Sequence, residues 1–437
     1  MTDVSAPAPM TDVRPAHGPD YEWKIIAILA LSIGMMGFDR WLLTSLFPVI
    51  GPDLGLNYQD LGNITAAMGV VFGVCAIAAG TLSDTLGRRR IVIPAMIAFS
   101  LFSAFSGMVG SLVGLLLMRM ALGVSEGSFL PTMYASAMEG SKPSRRGLTM
   151  GLLISCFPLF GLGLGPILAT RLLDVVPGWR WVFVVSAVPG IILALLIARV
   201  MKDRPNYPLP AGERPADHRV TVASVGLLLR ERNIVVALLA TCLGLGSMFV
   251  LGGMMPSYLT DYLGLSLHTA GNVTAAVGFG GFAGQILLSG LSDVIGRRAM
   301  LVGTSLTGAA MIAVFTQIGP TPGLLFAVLF LASMCVFALM SLIAGPVTTE
   351  AAPAGLLGAA SGLVIGGGEI FGAASGTVIS GVAAQHFGID AIPVIGVACM
   401  VLAAVAGLFL RETAPRLFDR PHSATTSTAA VVSSTPR

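Results

Sequence analysis

Asp39 and Arg40 are adjacent within an apolar run at residues 24–50, and Arg119 and Glu126 stand seven residues apart within another at 111–138. Seven residues is two helical turns, so the second pair lies on one face of its helix. Asp39 falls 15 residues past Lys24, about 22 Å at 1.5 Å per residue and therefore deep inside a hydrocarbon layer. A charge at that depth costs roughly 2.5–3.5 kcal/mol on insertion scales and normally faces a cavity or a partner. Two positive and two negative groups balance only if they meet. Their chemistry is that of anions and protons. A guanidinium stays charged at any working pH and grips a carboxylate through two parallel donors, whereas a carboxyl group in a low-dielectric cavity favours its neutral form and exchanges a proton as the cavity opens to either side. The alternative for Asp39 and Arg119 is a buried ion pair that only locks two helices together. A fifth group, Glu369, is the only acid deep in the C-terminal half, in the run 366–372 (Gly-Gly-Gly-Glu-Ile-Phe-Gly). Glycines there permit close backbone approach or a broken helix. Glu369 reads either as a second protonation site or ligand contact, or as a neutral group hydrogen-bonded to a neighbouring helix.

The elements that position these groups are membrane-spanning helices. The 437 residues are 55% hydrophobic and 11% charged, with mean hydropathy +0.86, against about 25% charged residues in a soluble domain. Apolar runs near 24–50, 60–82, 91–110, 111–138, 147–172, 180–201, 234–260, 268–291, 299–318, 323–347, 356–385 and 390–410 are each long enough for a bilayer core of about 30 Å. The domain organisation expected is a tail over 1–23, a six-helix bundle over 24–201, a linker over 202–233 whose Arg and Pro content cannot bury itself, a second bundle over 234–411, and a disordered tail over 412–437. Lys and Arg gather after helices 2, 4, 6 and 8, while the intervening stretches 51–58, 260–267 and 317–322 hold none. Both termini are therefore expected on the cytoplasmic side of a cell inner membrane. The net charge of +3, spread over these short clusters, speaks to orientation and not to nucleic acid. Five isolated cysteines offer neither metal-ligand nor disulfide spacing. Residues 1–22 lack the pattern of a cleaved signal peptide, which leaves the first helix as the insertion signal.

An internal repeat organises the chain. Leu54-Gly55-Leu56 and the run 62–69 (Gly-Asn-Ile-Thr-Ala-Ala-Met-Gly) return as Leu263-Gly264-Leu265 and 271–278 (Gly-Asn-Val-Thr-Ala-Ala-Val-Gly). The run 82–89 (Leu-Ser-Asp-Thr-Leu-Gly-Arg-Arg) returns at 291–298 (Leu-Ser-Asp-Val-Ile-Gly-Arg-Arg), all with one offset of 209. An even number of helices separates the copies, so the halves are parallel repeats about an axis along the membrane normal, with a ligand site expected between them. Asn63 and Asn272 have glycosylation spacing but lie within helices and read as packing residues.

The stretch 80–90 resembles the loop 2–3 signature of the major facilitator superfamily, and its copy resembles the partial loop 8–9 signature. The resemblance implies an all-α membrane protein of twelve transmembrane helices in two pseudo-symmetric six-helix bundles, working by alternating access. It implies gating roles for Gly80, Asp84, Gly87 and Arg88 and for Asp293, Gly296 and Arg297. An aspartate at a helix end can pair with arginines of the same turn or receive helix dipoles, a latch that holds one face closed. The alternative reading is topogenic charge alone.

Three segments further resemble the anion:cation symporter family: Phe38-Asp39-Arg40, the run 119–131 in helix 4 and Gly178-Trp179-Arg180-Trp181-Val182-Phe183. That resemblance implies proton symport of a sugar acid or other organic carboxylate. It assigns Arg40 to the substrate carboxylate, Asp39 to a pair with Arg119 coupled to protonation, and Glu126 to proton binding that competes with substrate release. Phe38, Trp41, Tyr258 and Glu369 are further candidate substrate contacts, with Phe47, Phe157 and Phe249 on the cavity-lining helices. Gly37-Phe38-Asp39 partly matches the helix 1 pattern of aromatic-acid:proton symporters, but Met36 stands where that pattern has its first aspartate, which leaves the substrate class open. Gly161, Gly163, Gly165 and Pro166 partly match a motif of proton-driven exporters, with Ala169 in place of its last glycine; export is the alternative reading. There is no Walker motif, HExxH or nucleophile elbow, so the expectation is a non-enzymatic carrier without cofactor or metal, driven by a gradient, with a small organic anion, protons and lipid as its partners, and monomeric.

Overall fold

The computed structural model describes residues 17–18, 20–202, 222–353 and 356–413. The expected N-terminal tail, most of the linker and most of the C-terminal tail lie outside the described residues, as do the side chains of Gly80 and Asp84. Among the described residues twelve helices are long and apolar enough to cross a membrane: α1 Tyr21–Leu54, α2 Tyr58–Leu86, α3 Arg88–Ser106, α4 Leu112–Gly140, α5 Pro143–Leu172, α6 Trp179–Val200, α7 Arg232–Gly253, α8 Leu267–Ile295, α9 Arg297–Phe315, α10 Pro322–Ala351, α11 Gly358–Phe387 and α12 Ile389–Leu408. In hydrocarbon every backbone N–H and C=O needs an internal partner, which a helix supplies. Large apolar side chains such as Val74, Leu117, Ile192, Leu287 and Leu402 remain exposed on the outside of the bundle, the surface that lipid covers.

Local chemistry sets several boundaries. Asn57 and Asp60 form a reciprocal cap, each side chain accepting from the other's backbone N–H at 2.9 Å, so α2 begins at Tyr58, earlier than the apolar run alone indicates. Gly87 and Gly296, at φ 91° and 111°, turn the chain from α2 into α3 and from α8 into α9, a backbone region that favours glycine.

Each half repeats one packing scheme. The helix α2 packs on α4 as α8 packs on α10, α3 on α6 as α9 on α12, and α1 on α5 as α7 on α11. The halves meet along α2–α11 and α5–α8, and the repeated glycine run forms both seams. A Cβ on Gly62 would stand 2.5 Å from the Thr377 carbonyl oxygen, and one on Gly271 would stand 2.9 Å from the Pro166 carbonyl oxygen. Gly278 leaves no room at all against the backbone of Leu162 and Gly163. Close backbone approach through small residues is how helices associate in lipid, where no hydrophobic force separates protein from solvent. Gly278→Val is accordingly expected to destabilise the carrier by roughly 1–3 kcal/mol through overpacking, read as a lower melting temperature of the purified protein.

Two expectations for the connecting segments change. The stretch between the halves contains a short helix, Val222–Leu228, with Leu228 buried in the core, because its apolar residues find a surface to cover. At the other end, the Glu412 carboxylate accepts from the backbone N–H groups of Arg297 and Arg298 at 2.7 and 3.1 Å, an anion held on the first turn of α9, so the ordered chain extends past the point at which the tail was expected to begin.

Candidate functional site

Arg40, midway along α1, donates from Nη2 to Glu369 Oε2 of α11 at 2.6 Å, with side-chain exposures of only 5% and 13%. The pair therefore lies out of bulk water and joins the two halves. Its guanidinium carbon sits 4.6 Å from the ring centroid of Phe72 on α2 and 5.3 Å from that of Phe249 on α7, a cation held against two aromatic faces. The backbone brings Glu369 there through a π-helical segment, Gly368–Ala374, whose hydrogen bonds each span one residue more than in an α-helix and so re-aim the side chains. Gly368 and Gly372 lie tight against Thr241 and the backbone of Cys242 on α7, the close approach expected of the glycine run.

Asp39 is fully buried. Its Oδ1 accepts from Ser103 of α3 at 2.9 Å and from Ser186 of α6 at 3.5 Å. The expected partnership with Arg119 takes a different form: Arg119 Nη1 donates to the backbone carbonyl of Asp39 at 3.2 Å, while both serines meet Oδ1 and Oδ2 accepts from no described residue. Nε and Nη2 of Arg119 have no hydrogen-bond partner among the described residues, and its guanidinium lies 5.7 Å from the Phe183 ring. Glu126 has no solvent exposure, and neither of its oxygens accepts a hydrogen bond from a described residue. Arg40, Asp39, Arg119 and Glu369 all lie within electrostatic range of it. Five ionisable groups thus form one cluster at the junction of the halves.

A cavity of about 10 Å³ lies beside two of them, lined by Arg40, Arg119, Trp41, Thr44, Thr65 and Phe249 among others. That volume holds about one water. That space beside Arg40 and Arg119 holds no organic molecule in this arrangement. At the end of the bundle away from the start of α1, Tyr58 donates to Asp261 at 2.6 Å and His268 meets Asp174 at 3.0 Å, so two hydrogen bonds join the halves there.

Not every expected contact reaches the site. Trp41 lines the cavity and packs on Phe249 at 4.8 Å. Phe38 lies half-buried against the core beside α5. Tyr258 does not line the described cavity: α7 ends at Gly253, and a separate turn buries Tyr258 against Tyr262 and Phe315, 5.1 and 5.9 Å between ring centres. The α5 glycines are packing surface, Gly161 against Gly37 and Trp41 and Gly163 against Phe279.

Around the repeated loops, Arg88 binds Ser83 and Glu139, the latter at 3.4 Å. Arg297 binds Ser292, Asp293 at 2.6 Å and Glu350 at 3.0 Å. The acids at the ends of α4 and α10, Glu139 and Glu350, were not evident from the loop signature. Sequence reasoning also missed Phe72, Ser103 and Ser186. Phe72 carried no signal either, because it lies in the stretch 70–81 between the two repeated runs, where the offset of 209 matches only Ile77 with Ile286. The serines carried none beyond being polar in apolar helices.

The family profile described as Major Facilitator Superfamily matches residues 29–258 and 236–434. A protein of Cupriavidus pinatubonensis named "Probable 4-methylmuconolactone transporter" is 29% identical over 381 residues, covering 84% of this chain and 85% of that one. The hexuronate transporter of Bacillus subtilis is 26% identical, covering 63% of this chain and 66% of its own. Among solved structures, a bacterial homologue of the human lysosomal transporter Spinster, inward-facing and unoccupied, superposes with a TM-score of 0.73 at 18% identity over 90% of this chain and 97% of the other. With twelve spanning helices in two parallel repeats, a charged cluster at their junction and a family match along almost its whole length, the chain belongs to the Major Facilitator Superfamily of membrane transporters.

Proposed function

We propose that this transporter carries a small organic carboxylate, a sugar acid or an aromatic acid, together with protons across the cytoplasmic membrane by alternating access. The observation that carries this reading is Arg40: a guanidinium held out of water at the junction of the halves, flanked by two aromatic rings and already bound to a carboxylate. A site built to hold one carboxylate on a desolvated arginine suits another. The relatives named for 4-methylmuconolactone and for hexuronate support an organic acid.

Charge counting supports proton coupling. Asp39, Glu126 and Glu369 are three acids against the two arginines, so the empty cluster is neutral with one proton, and a bound monovalent anion calls for a second. Glu126 is the natural carrier of the first, because a buried carboxylate without donors is costly and a proton removes that cost. Asp39, held by Ser103 and Ser186, positions Arg119 through its carbonyl and responds to its charge. The bundles 24–201 and 234–411 rock about the glycine seams as a monomer with both termini cytoplasmic. Arg88 with Glu139 and Arg297 with Glu350 latch the cytoplasmic loops, together with Gly80, Asp84, Gly87, Asp293 and Gly296.

Counterflow tests the substrate class without a gradient. Proteoliposomes loaded with an unlabelled acid should take up the same labelled acid transiently above equilibrium, and a panel of sugar acids and aromatic acids should contain at least one that does so. A panel in which only neutral or cationic compounds exchange contradicts the carboxylate reading and favours export of such compounds.

A further inference from the structure

We propose that Glu369 is an internal stand-in for the substrate carboxylate: it occupies Arg40 in the empty carrier, and the substrate anion binds by displacing it. This rests on the carboxylate reading above and names what competes at that site. The pair spans the junction, from α1 of the first half to α11 of the second. While it holds, the cavity beside Arg40 has room for about one water, too little for any organic acid. Binding therefore requires an ion-pair exchange in which the Arg40–Glu369 contact breaks and an Arg40–substrate contact forms. The offset of 209 pairs Arg40 with Phe249, so this cation has no counterpart in the second half, and Glu369 is the group that half supplies to meet it.

Displacement leaves Glu369 in a poor place for a charge. Facing it are Arg40 from α1, now engaged, and, within electrostatic range, Glu126 from α4. The helix α2 presents Gly69 and Gly73 to this segment, neither of them titratable, and α7 presents Cys242, whose thiol donates to the Gly367 carbonyl at 3.7 Å. A carboxylate stripped of its cation there is neutralised most cheaply by a proton. One proton is then taken up at Glu369 for each anion bound and released when the anion leaves and the internal pair reforms. The reformed pair also gives the empty carrier a neutral, closed junction with which to return.

The test is calorimetric binding of the acid identified by counterflow to purified full-length carrier between about pH 6 and 8. An internal competitor lowers apparent affinity by the fraction of sites it occupies. Glu369→Gln is therefore expected to bind the acid about tenfold or more tightly than wild type at the alkaline end, and its plot of log Kd against pH is expected to lose about one proton of slope. Glu369→Asp, which keeps the charge on a shorter arm, should fold with the pair weakened, bind with intermediate affinity and keep the proton slope. If Glu369→Gln binds with the affinity and slope of wild type, or more weakly, the stand-in role is wrong while the carboxylate reading survives. If wild type binds no acid at all, both fall together.

Discussion

Arg40→Ala is expected to abolish acid binding and to lower the stability of the empty carrier at the same time. Removing one partner of a buried, hydrogen-bonded charge pair costs roughly 2–5 kcal/mol, and each 1.4 kcal/mol is about tenfold in affinity. Binding should thus weaken by about 30-fold to several thousand-fold, beyond the reach of most uptake assays. The stability loss has a separate origin, because the substitution leaves Glu369 buried without its cation. The double variant Arg40→Ala with Glu369→Gln should recover much of the melting temperature and none of the binding, since the two effects couple through one contact. Arg40→Lys tests the geometry. A lysine keeps the charge but loses the flat fork that stacks between Phe72 and Phe249, so partial binding is expected. An Arg40→Ala carrier that still concentrates the acid removes Arg40 from the site.

The second large effect is expected at Glu126. Its two oxygens accept from no described residue in the protein interior, a setting in which a proton removes the cost of a buried charge. Glu126→Gln fixes the neutral form and keeps the shape. Exchange of one acid molecule for another needs no net proton movement, so counterflow should continue near the wild-type rate. Accumulation driven by an imposed gradient should fall sharply, because each coupled proton contributes about 1.4 kcal/mol, a factor of about ten in the accumulation ratio, per unit of pH difference. Loss of exchange together with accumulation would instead mark Glu126 as a packing or substrate-binding residue.

Much of this arrangement was legible in the amino-acid order because a membrane constrains sequence strongly. Twelve apolar runs became twelve helices, and the shared offset of 209 became two halves with one packing scheme. The repeated Gly-Asn-x-Thr-Ala-Ala-x-Gly run proved to be the seam between the halves, a reason for its repetition that period and composition alone do not show. Intramembrane charge pointed to Asp39, Arg40, Arg119, Glu126 and Glu369; Arg40 meets Glu369 and Arg119 meets the Asp39 carbonyl, while Glu126 accepts from no described residue. How they meet was not legible. Arg40 and Glu369 are 329 residues apart, and only the π-helical segment of α11 and the closure of the halves bring them together. Asp39 turned to Ser103 and Ser186 because hydroxyls on α3 and α6 reach its carboxylate, a contact no spacing rule encodes. Tyr258 packs on Tyr262 and Phe315 beyond the break of α7 at Met254, a break the apolar run did not announce.

Uptake into proteoliposomes under an imposed inside-alkaline gradient tests the central claim most directly. At least one sugar acid or aromatic acid should rise above its outside concentration, collapse on addition of a protonophore, and show no such rise in the Arg40→Ala protein. An acid that only equilibrates whatever the gradient, or a carrier that moves no acid at all, contradicts proton-coupled carboxylate transport.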